Sequence, residues 1–438
     1  MNVFVVAERK PGVPSHVTTA LGILSGLLEK EAADIYVFDN NGEEAFDTEA
    51  ILESCPFVPD SLFLSIVTLN ALRSYNLLDE AKRRWPHLIV VGGGVHMRFN
   101  YMEAFEKGVH IVVRHEIEPV FAALMTALQQ GDFPCLLQEP AYADPEDFSL
   151  PDWRCLESKN YSHVGSYLNN VLSSRGCAFR CNFCADEWTT NFRKGSLGQL
   201  EKYLNCAAQY GKNINILDSN FLLDRNRSEE FCDLILNGEL QGRGLRFFLQ
   251  THIHSPFDAN LLERLRKAGV DTISFGLERL TSDAQKLIDK DCRLDLALEK
   301  IKLCLDNGIK VGTNLLIGFP FETVALLEKE IEYFVRVRDL GAMVTPFLLL
   351  PFPGTTYYDD YPETHGWYLD KEFFLDFEKY KNTLFYKHFD KGAIGLGWNL
   401  FWRNVYGFDV ATSSLIVETA QEFGDLRRIP IRKTLVAS

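Results

Sequence analysis

The amino-acid sequence predicts an α/β protein with an open parallel sheet first, a partial (β/α)6 barrel second and a small C-terminal extension last. Three observations carry that prediction. Strand-length apolar runs alternate with helical patterns in two successive series. Those runs are nearly unbroken in apolar residues, as strands are when helices cover both faces of a parallel sheet. The 438 residues also exceed what one core fills, since single cores rarely grow far beyond about 250 residues.

The first series opens with the strand "NVFVVAE", a loop holding Pro11, Gly12 and Pro14, the helical pattern "HVTTALGILSGLLEKE" and the strand "DIYVFDN". "SLFLSIV" is a further strand, followed by a polar helix ending near Arg84, and "HLIVVGGGVH" runs from a strand straight into a glycine turn. "HIVVRHEIEPVFAALMTAL" adds a strand and a helix, so residues 1–130 are expected to form a Rossmann-like α/β domain. Residues 131–164 carry prolines and acidic residues with little periodicity and read as a linker.

The second series, residues 165–356, offers "SYLNNVLSS", "NINILDS", "LRFFLQTH", "VDTISFGLE", "IKVGTNLLIGFP" and "AMVTPFLLLPFPG" as strands, separated mostly by helical segments such as "DANLLERLRKAG". Strands and helices in that order suit a partial barrel, whose function gathers where strands end and loops begin. Residues 357–438 are aromatic-rich, with Phe and Tyr on a helical spacing in "KEFFLDFEKYKNTLFYKHF". They read as packing against the barrel or as a cap over a substrate.

Composition excludes several classes. Forty-five basic against sixty acidic side chains give a net charge of -15 with no basic block to follow a phosphate backbone, so nucleic acid is not the expected partner. No run approaches the roughly 20 apolar residues that span a bilayer, and the N-terminus lacks the pattern of a secretory leader. Ten cysteines are too sparse for a disulfide-dense secreted module, which makes a reducing cytoplasm the expected compartment.

Three of those cysteines, Cys177, Cys181 and Cys184, fall within eight positions of "SSRGCAFRCNFCADEW". Such a loop can put one thiolate on each of three irons of a cubane cluster and leave the fourth iron open. A structural zinc site would want a fourth protein ligand, which His163 could nominally supply. Polar residues at predicted strand ends are the other candidates. Asp218 and Asn220 follow "NINIL"; Gln250, Thr251 and His252 follow "LRFFL"; Thr313 and Asn314 lie in "IKVGTNLLIGFP". His252 is placed to position substrate or transfer a proton.

The cysteine pattern, read with Phe183 before Cys184, resembles the motif of the radical S-adenosylmethionine (SAM) superfamily. Four stretches agree with it in order: "LDSNFLLDRNR", "SFGLER" with Glu278, "LIGFPFET" with Gly318, Pro320, Glu322 and Thr323, and "PFPGT". The resemblance implies a [4Fe-4S] cluster on the three cysteines, SAM chelated at its open iron, and a 5'-deoxyadenosyl radical that abstracts a substrate hydrogen. It also implies Phe183, Asp218, Asn220, Glu278, Thr313 and Asn314 as cofactor contacts, and an electron donor such as flavodoxin or ferredoxin. No Gly-Gly-Glu segment follows the cysteines.

The first domain resembles the cobalamin-binding module that precedes many radical SAM barrels, through "HVTTALGILSGLLEK", "SIVTLNALRSY" and the Gly-Gly-x-His segment "GGGVHMRF". That likeness implies Ser65, Thr68, Asn70, Gly92, Gly93, Gly94 and His96 as cobalamin contacts. Where many relatives carry G-E-G-E this chain has "RHEIE", Arg114 to Glu118, and it has no D-x-H-x-x-G histidine. The leading function so implied is a cobalamin-dependent radical C-methyltransferase acting on a natural-product intermediate or peptide. The alternative is a non-methylating radical SAM enzyme catalysing rearrangement, oxidation or ring formation, with a degenerate or non-methyl-donating N-terminal domain.

Overall fold

In a computed structural model, residues 1–7, 19–31, 34–39, 47–152, 170–185, 191–362 and 365–369 are described. The first series folds into a six-stranded sheet: β1 (Asn2–Ala7), β2 (Asp34–Asp39), β3 (Ser61–Ser65), β4 (Ile89–Gly93), β5 (Ile111–Val113) and β6 (Cys135–Leu137). Their order is β2-β1-β3-β4-β5-β6, and every neighbouring pair is parallel. Residues 3–7 of β1 are buried without exception, as the unbroken apolar run requires of a strand with both faces covered.

β6 corrects one expectation. It lies inside the segment read as a linker, pairing Cys135, Leu136 and Leu137 with Ile111, Val112 and Val113. Three residues between prolines are too short to display a period of two, so no pattern in the sequence marks them as a strand.

The second series gives β7 (Asn170–Val171), an antiparallel pair β8 (Ser174–Arg175) and β9 (Arg193–Lys194), then β10 (Asn213–Ile216), β11 (Arg246–Thr251), β12 (Val270–Glu278), β13 (Lys310–Ile317) and β14 (Met343–Leu348). Apart from the β8–β9 pair, these strands form one parallel sheet in the order β14-β13-β12-β11-β10-β7, an open six-stranded partial barrel. Helices 197–207, 225–237, 259–267, 294–306 and 324–339 lie between the strands. Ser196, Asp224, Asp258 and Thr323 each cap a helix start by accepting a backbone N–H three residues on. No helix among the described residues is long and apolar enough to cross a membrane.

Two features join the halves. Arg175 on β8 pairs with Glu116 at 2.9 Å and Glu118 at 2.5 Å, while Arg193 on β9 meets the other oxygen of Glu116 at 2.5 Å. The "RHEIE" glutamates thus clamp the first domain to the start of the barrel, and the Arg175 guanidinium also lies 4.1 Å from the Phe148 ring. Removing one partner of a buried ion pair costs about 3–5 kcal/mol because the other charge is left uncompensated. Glu116→Ala is therefore expected to lose at least about 3 kcal/mol of unfolding free energy in a urea titration.

The second junction is aromatic. Tyr358, Trp367 and Tyr368, from beyond the barrel, complete the core between β1, β3 and the helix at 71–84. The rest of the expected C-terminal cap, residues 370–438, lies outside the described residues, as does His163.

Candidate active site

The cysteine loop follows Gly176, whose φ of +87° suits only glycine comfortably. It closes on itself through Cys184 N–H to the Cys181 carbonyl at 3.0 Å. It is pinned from outside at Asn182, whose Nδ2 donates to the Leu287 carbonyl at 2.8 Å and whose carbonyl accepts from Thr356 N–H at 3.2 Å. Cys177 and Cys181 are half-buried and Cys184 is exposed. Burial pushes the Cys181 thiol up, with Lys290 pulling the other way. Among the described residues no three His, Cys, Asp or Glu side chains converge on a single metal ion. In a cubane each thiolate sits on its own iron, so that fact does not weigh against a cluster.

Beside the loop, Glu278 of "SFGLER" meets a lysine that no motif announced. Lys290 Nζ lies 3.6 Å from Glu278 Oε1, and both side chains are nearly enclosed. The ammonium also sits 5.7 Å from the ring centre of Phe183, which precedes Cys184 in the loop. Burial opposes the charge on Lys290, but Glu278 and the thiols of Cys292, Cys181 and Cys184 outweigh it and raise its pKa. Gly276 makes room for the pair, since a Cβ there would stand 2.9 Å from Glu278 and 3.0 Å from Lys290. Glu278 itself takes φ = +60°, a strained backbone for a residue with a side chain, at the tip of β12.

The neighbouring motifs are framework. Arg279, fully buried, pairs with Glu322 of "LIGFPFET", and Glu322 also accepts Gly318 N–H at 2.5 Å. Glu330 accepts Leu280 N–H at 2.7 Å and Thr281 N–H at 3.0 Å, fixing the turn that follows Glu278. In "PFPGT", Gly354 has φ = +87°, and a Cβ there would strike the Phe99 ring at 2.1 Å, so this glycine admits a first-domain aromatic.

The predicted strand-end residues divide. Asp218 is buried and accepts Ser173 N–H, Ser173 Oγ and Ser174 Oγ, each at 2.6 Å, which ties β10 to the strand before the cysteine loop. Burial raises its pKa against those bonds. Thr313 is buried and donates to the Met343 carbonyl at 3.3 Å, a packing role. Asn314, by contrast, joins Glu278, Phe183, Leu316, Phe347 and Phe352 around a cavity of about 300 Å³. His252 stacks on Phe179 of the cysteine loop, ring centres 3.8 Å apart. Burial, Lys290 and His254 together lower its pKa to about 3, so the ring is neutral near pH 7 and no ready source of a proton.

At the first domain, the loops after β3 and β4 face the barrel mouth across a second cavity of about 230 Å³, lined by Val67, Thr68, Leu69, Val95, Phe99, Ala185, Phe352 and Pro353. Phe352 borders both cavities. His96 does not open onto this space. Its ring is enclosed and bonded to Thr68 Oγ1 at 3.2 Å, Asn100 Nδ2 at 3.2 Å and Glu103 Oε1 at 3.1 Å. Glu103 is further held by Tyr75 and Tyr368, each at 2.9 Å. Asn70 accepts Val67 N–H at 2.8 Å and shapes the loop, and Ser65 ends β3 opposite Gly93.

The three glycines also differ. A Cβ on Gly92 would crowd Val109 at 3.1 Å, and one on Gly94, with φ = +99°, would strike the Ile66 carbonyl at 2.4 Å. A Cβ on Gly93 would meet nothing within 4 Å.

Comparison with known proteins agrees with this anatomy. Residues 171–334 match the family model of the radical SAM superfamily. An anaerobic magnesium-protoporphyrin IX monomethyl ester cyclase of Rubrivivax gelatinosus is 26% identical over 74% of this chain and 60% of its own length. An uncharacterized methyltransferase of Pyrococcus horikoshii is 23% identical over 74% of each chain. The chain thus spans about 60% of the length of that cyclase. Among solved structures, the radical SAM methyltransferase TsrM of Kitasatospora setae, with cobalamin and a [4Fe-4S] cluster bound, superposes with a TM-score of 0.64 at 18% identity, over 81% of this chain and 74% of that one. The cobalamin-dependent SAM radical enzyme OxsB with aqua-cobalamin gives 0.61 at 18% identity, over 85% and 56%. The cysteine loop at the mouth of the six-stranded parallel barrel thus lies inside the segment that matches the radical SAM superfamily, and the chain shares the fold of the cobalamin-bound TsrM and OxsB structures.

Proposed function

We propose that this protein is a cobalamin-binding radical SAM enzyme that oxidises, cyclises or rearranges a small, largely apolar molecule. The observation that carries the reading is the 300 Å³ cavity beside the cysteine loop, in which Phe183, Leu316, Phe347 and Phe352 surround the polar groups of Glu278 and Asn314. Apolar walls with a few fixed polar groups are the usual make-up of a small-molecule site. Cys177, Cys181 and Cys184 would hold the [4Fe-4S] cluster, which, with SAM bound, supplies a carbon-centred radical able to take hydrogen from an unreactive carbon. Glu278 and Lys290 offer a carboxylate and an ammonium to SAM's oppositely charged groups, and the surrounding phenylalanines keep water from the reacting carbon.

Ring formation or oxidation is preferred to methyl transfer because two of the curated relatives, from Rubrivivax gelatinosus and Synechocystis, are named as cyclases. Methyl transfer is the second reading, favoured by the open space at Gly93 and by the relative named as a methyltransferase. Gly93 with the apolar loop residues Val67, Leu69 and Val95 would receive cobalamin. The product of SAM separates the readings. Reduced, cluster-loaded protein given candidate porphyrin-like or other apolar substrates should release 5'-deoxyadenosine without S-adenosylhomocysteine. Equal release of both would establish methyl transfer instead.

Lys290→Met tests the SAM contact. Loss of one charge-assisted bond is expected to weaken SAM binding by about tenfold or more in equilibrium dialysis. Unchanged affinity would remove Lys290 from the SAM site.

A further inference from the structure

Two side chains at the barrel mouth each hold a buried polar atom that has no partner among the described residues. Asn220 gives its Oδ1 to three donors, Thr251 Oγ1 at 2.7 Å, Ser255 Oγ at 2.9 Å and His252 N–H at 3.3 Å, and its Nδ2 has none. His252 Nδ1 accepts the His254 backbone N–H at 3.3 Å, which places the proton of a neutral ring on Nε2, and Nε2 also has no partner. Asn220 is 1% exposed and His252 is 7% exposed. Buried polar groups in folded proteins are nearly always satisfied, so two orphaned donors on residues joined by a hydrogen bond point to an acceptor supplied from outside the chain.

Position says where that acceptor lies. Asn220 follows β10 and His252 follows β11, at the same end of the sheet as Glu278 on β12. Phe179, between Cys177 and Cys181, covers the His252 ring in a stack only 17° from parallel. The His252 ring therefore sits under the loop that carries the thiolates, and Asn220 is bonded to the His252 backbone beside it. Both are neutral donors, and neither offers an acceptor there, since Asn220 Oδ1 and His252 Nδ1 are already engaged.

We propose that Asn220 Nδ2 and His252 Nε2 form a two-donor site for an acceptor oxygen of a bound ligand, either a carboxylate or hydroxyl of SAM or a carbonyl or carboxylate of the substrate. The inference rests on the radical SAM reading above and deepens it. His252 is then a fixed hydrogen-bond donor, which replaces the proton-transfer role suggested by its place in the sequence.

Two variants test the site. Asn220→Asp keeps the accepting Oδ1 and turns the donor into a carboxylate oxygen. His252→Phe keeps a ring to stack on Phe179 and removes Nε2; the His254 N–H it releases belongs to an exposed residue. Iron content, SAM affinity by equilibrium dialysis and melting temperature are measured for wild type and both variants. SAM cleavage by the wild-type protein checks the radical SAM reading separately. If SAM supplies the oxygen, both variants bind SAM about tenfold more weakly with iron content intact, and His252→Phe melts at or above the wild-type temperature, because an unpaired buried donor has been removed. The same melting result with SAM affinity unchanged assigns the oxygen to the substrate. A lower melting temperature of His252→Phe with unchanged SAM affinity overturns the proposal, because the donors would then serve only the fold.

Discussion

Cys181→Ala is expected to abolish both cluster assembly and SAM cleavage. Cys181 is the middle thiolate of the loop, and its carbonyl accepts the Cys184 N–H that closes the turn, so an alanine keeps the backbone bond and removes only the sulfur. The loop's outer anchors at Asn182 do not involve the thiol. The variant should therefore fold with the same melting temperature before cluster loading. After anaerobic reconstitution the wild type should hold about four irons per chain and the variant far fewer. Production of 5'-deoxyadenosine should fall by more than the roughly 10–100-fold that loss of a metal's outer-shell partner causes. A variant that retains four irons and cleaves SAM would show that Cys181 is not a ligand. Because burial raises the thiol's pKa and ligation requires the thiolate, loading of the wild type should release protons and proceed more readily at alkaline pH.

The cysteines were legible because their chemistry depends on spacing within one loop. The strands were legible for a similar reason, since a parallel sheet covered on both faces leaves its trace in every unbroken apolar run. What the linear pattern does not contain is the direction of a side chain and its partner far along the chain. His96 stands in a Gly-Gly-x-His segment that suggests a cofactor contact, yet its ring is taken up by Thr68 from one loop and Glu103 from the following helix. In "RHEIE", His115 and Ile117 stand where many relatives carry the glycines of G-E-G-E, and nothing in the linear pattern says what Glu116 and Glu118 bind. They are the carboxylates that bind Arg175 and Arg193, 57 and 77 residues away. Lys290 was missed because nothing in "KLIDKDCR" distinguishes it from a solvated lysine; only the fold brings it against Glu278 and Phe183.

Gly93→Phe should release cobalamin while leaving the barrel's chemistry intact, and its neighbour explains why that result would be informative. At Gly94 the backbone has φ = +99° and the Ile66 carbonyl lies 2.4 Å from where a Cβ would stand, so Gly94→Ala is expected to disturb the turn itself. At Gly93 neither constraint applies. A Cβ there meets nothing within 4 Å, so the position has open space on the side from which a ligand would approach. Loops at the C-terminal ends of parallel strands are where open α/β sheets receive ligands, and Gly93 is the last residue of β4. Gly93→Phe should keep the wild-type melting temperature, iron content and SAM affinity. Its hydroxocobalamin binding should weaken by at least about a hundredfold, since an aromatic ring would occupy the contact surface and affinity falls tenfold for every 1.4 kcal/mol lost. Unchanged cobalamin affinity in a folded Gly93→Phe protein would mean that the first domain does not hold a corrin at this turn. The 230 Å³ cavity between Phe99 and Phe352 would then belong to the substrate, as an extension of the cavity at Glu278.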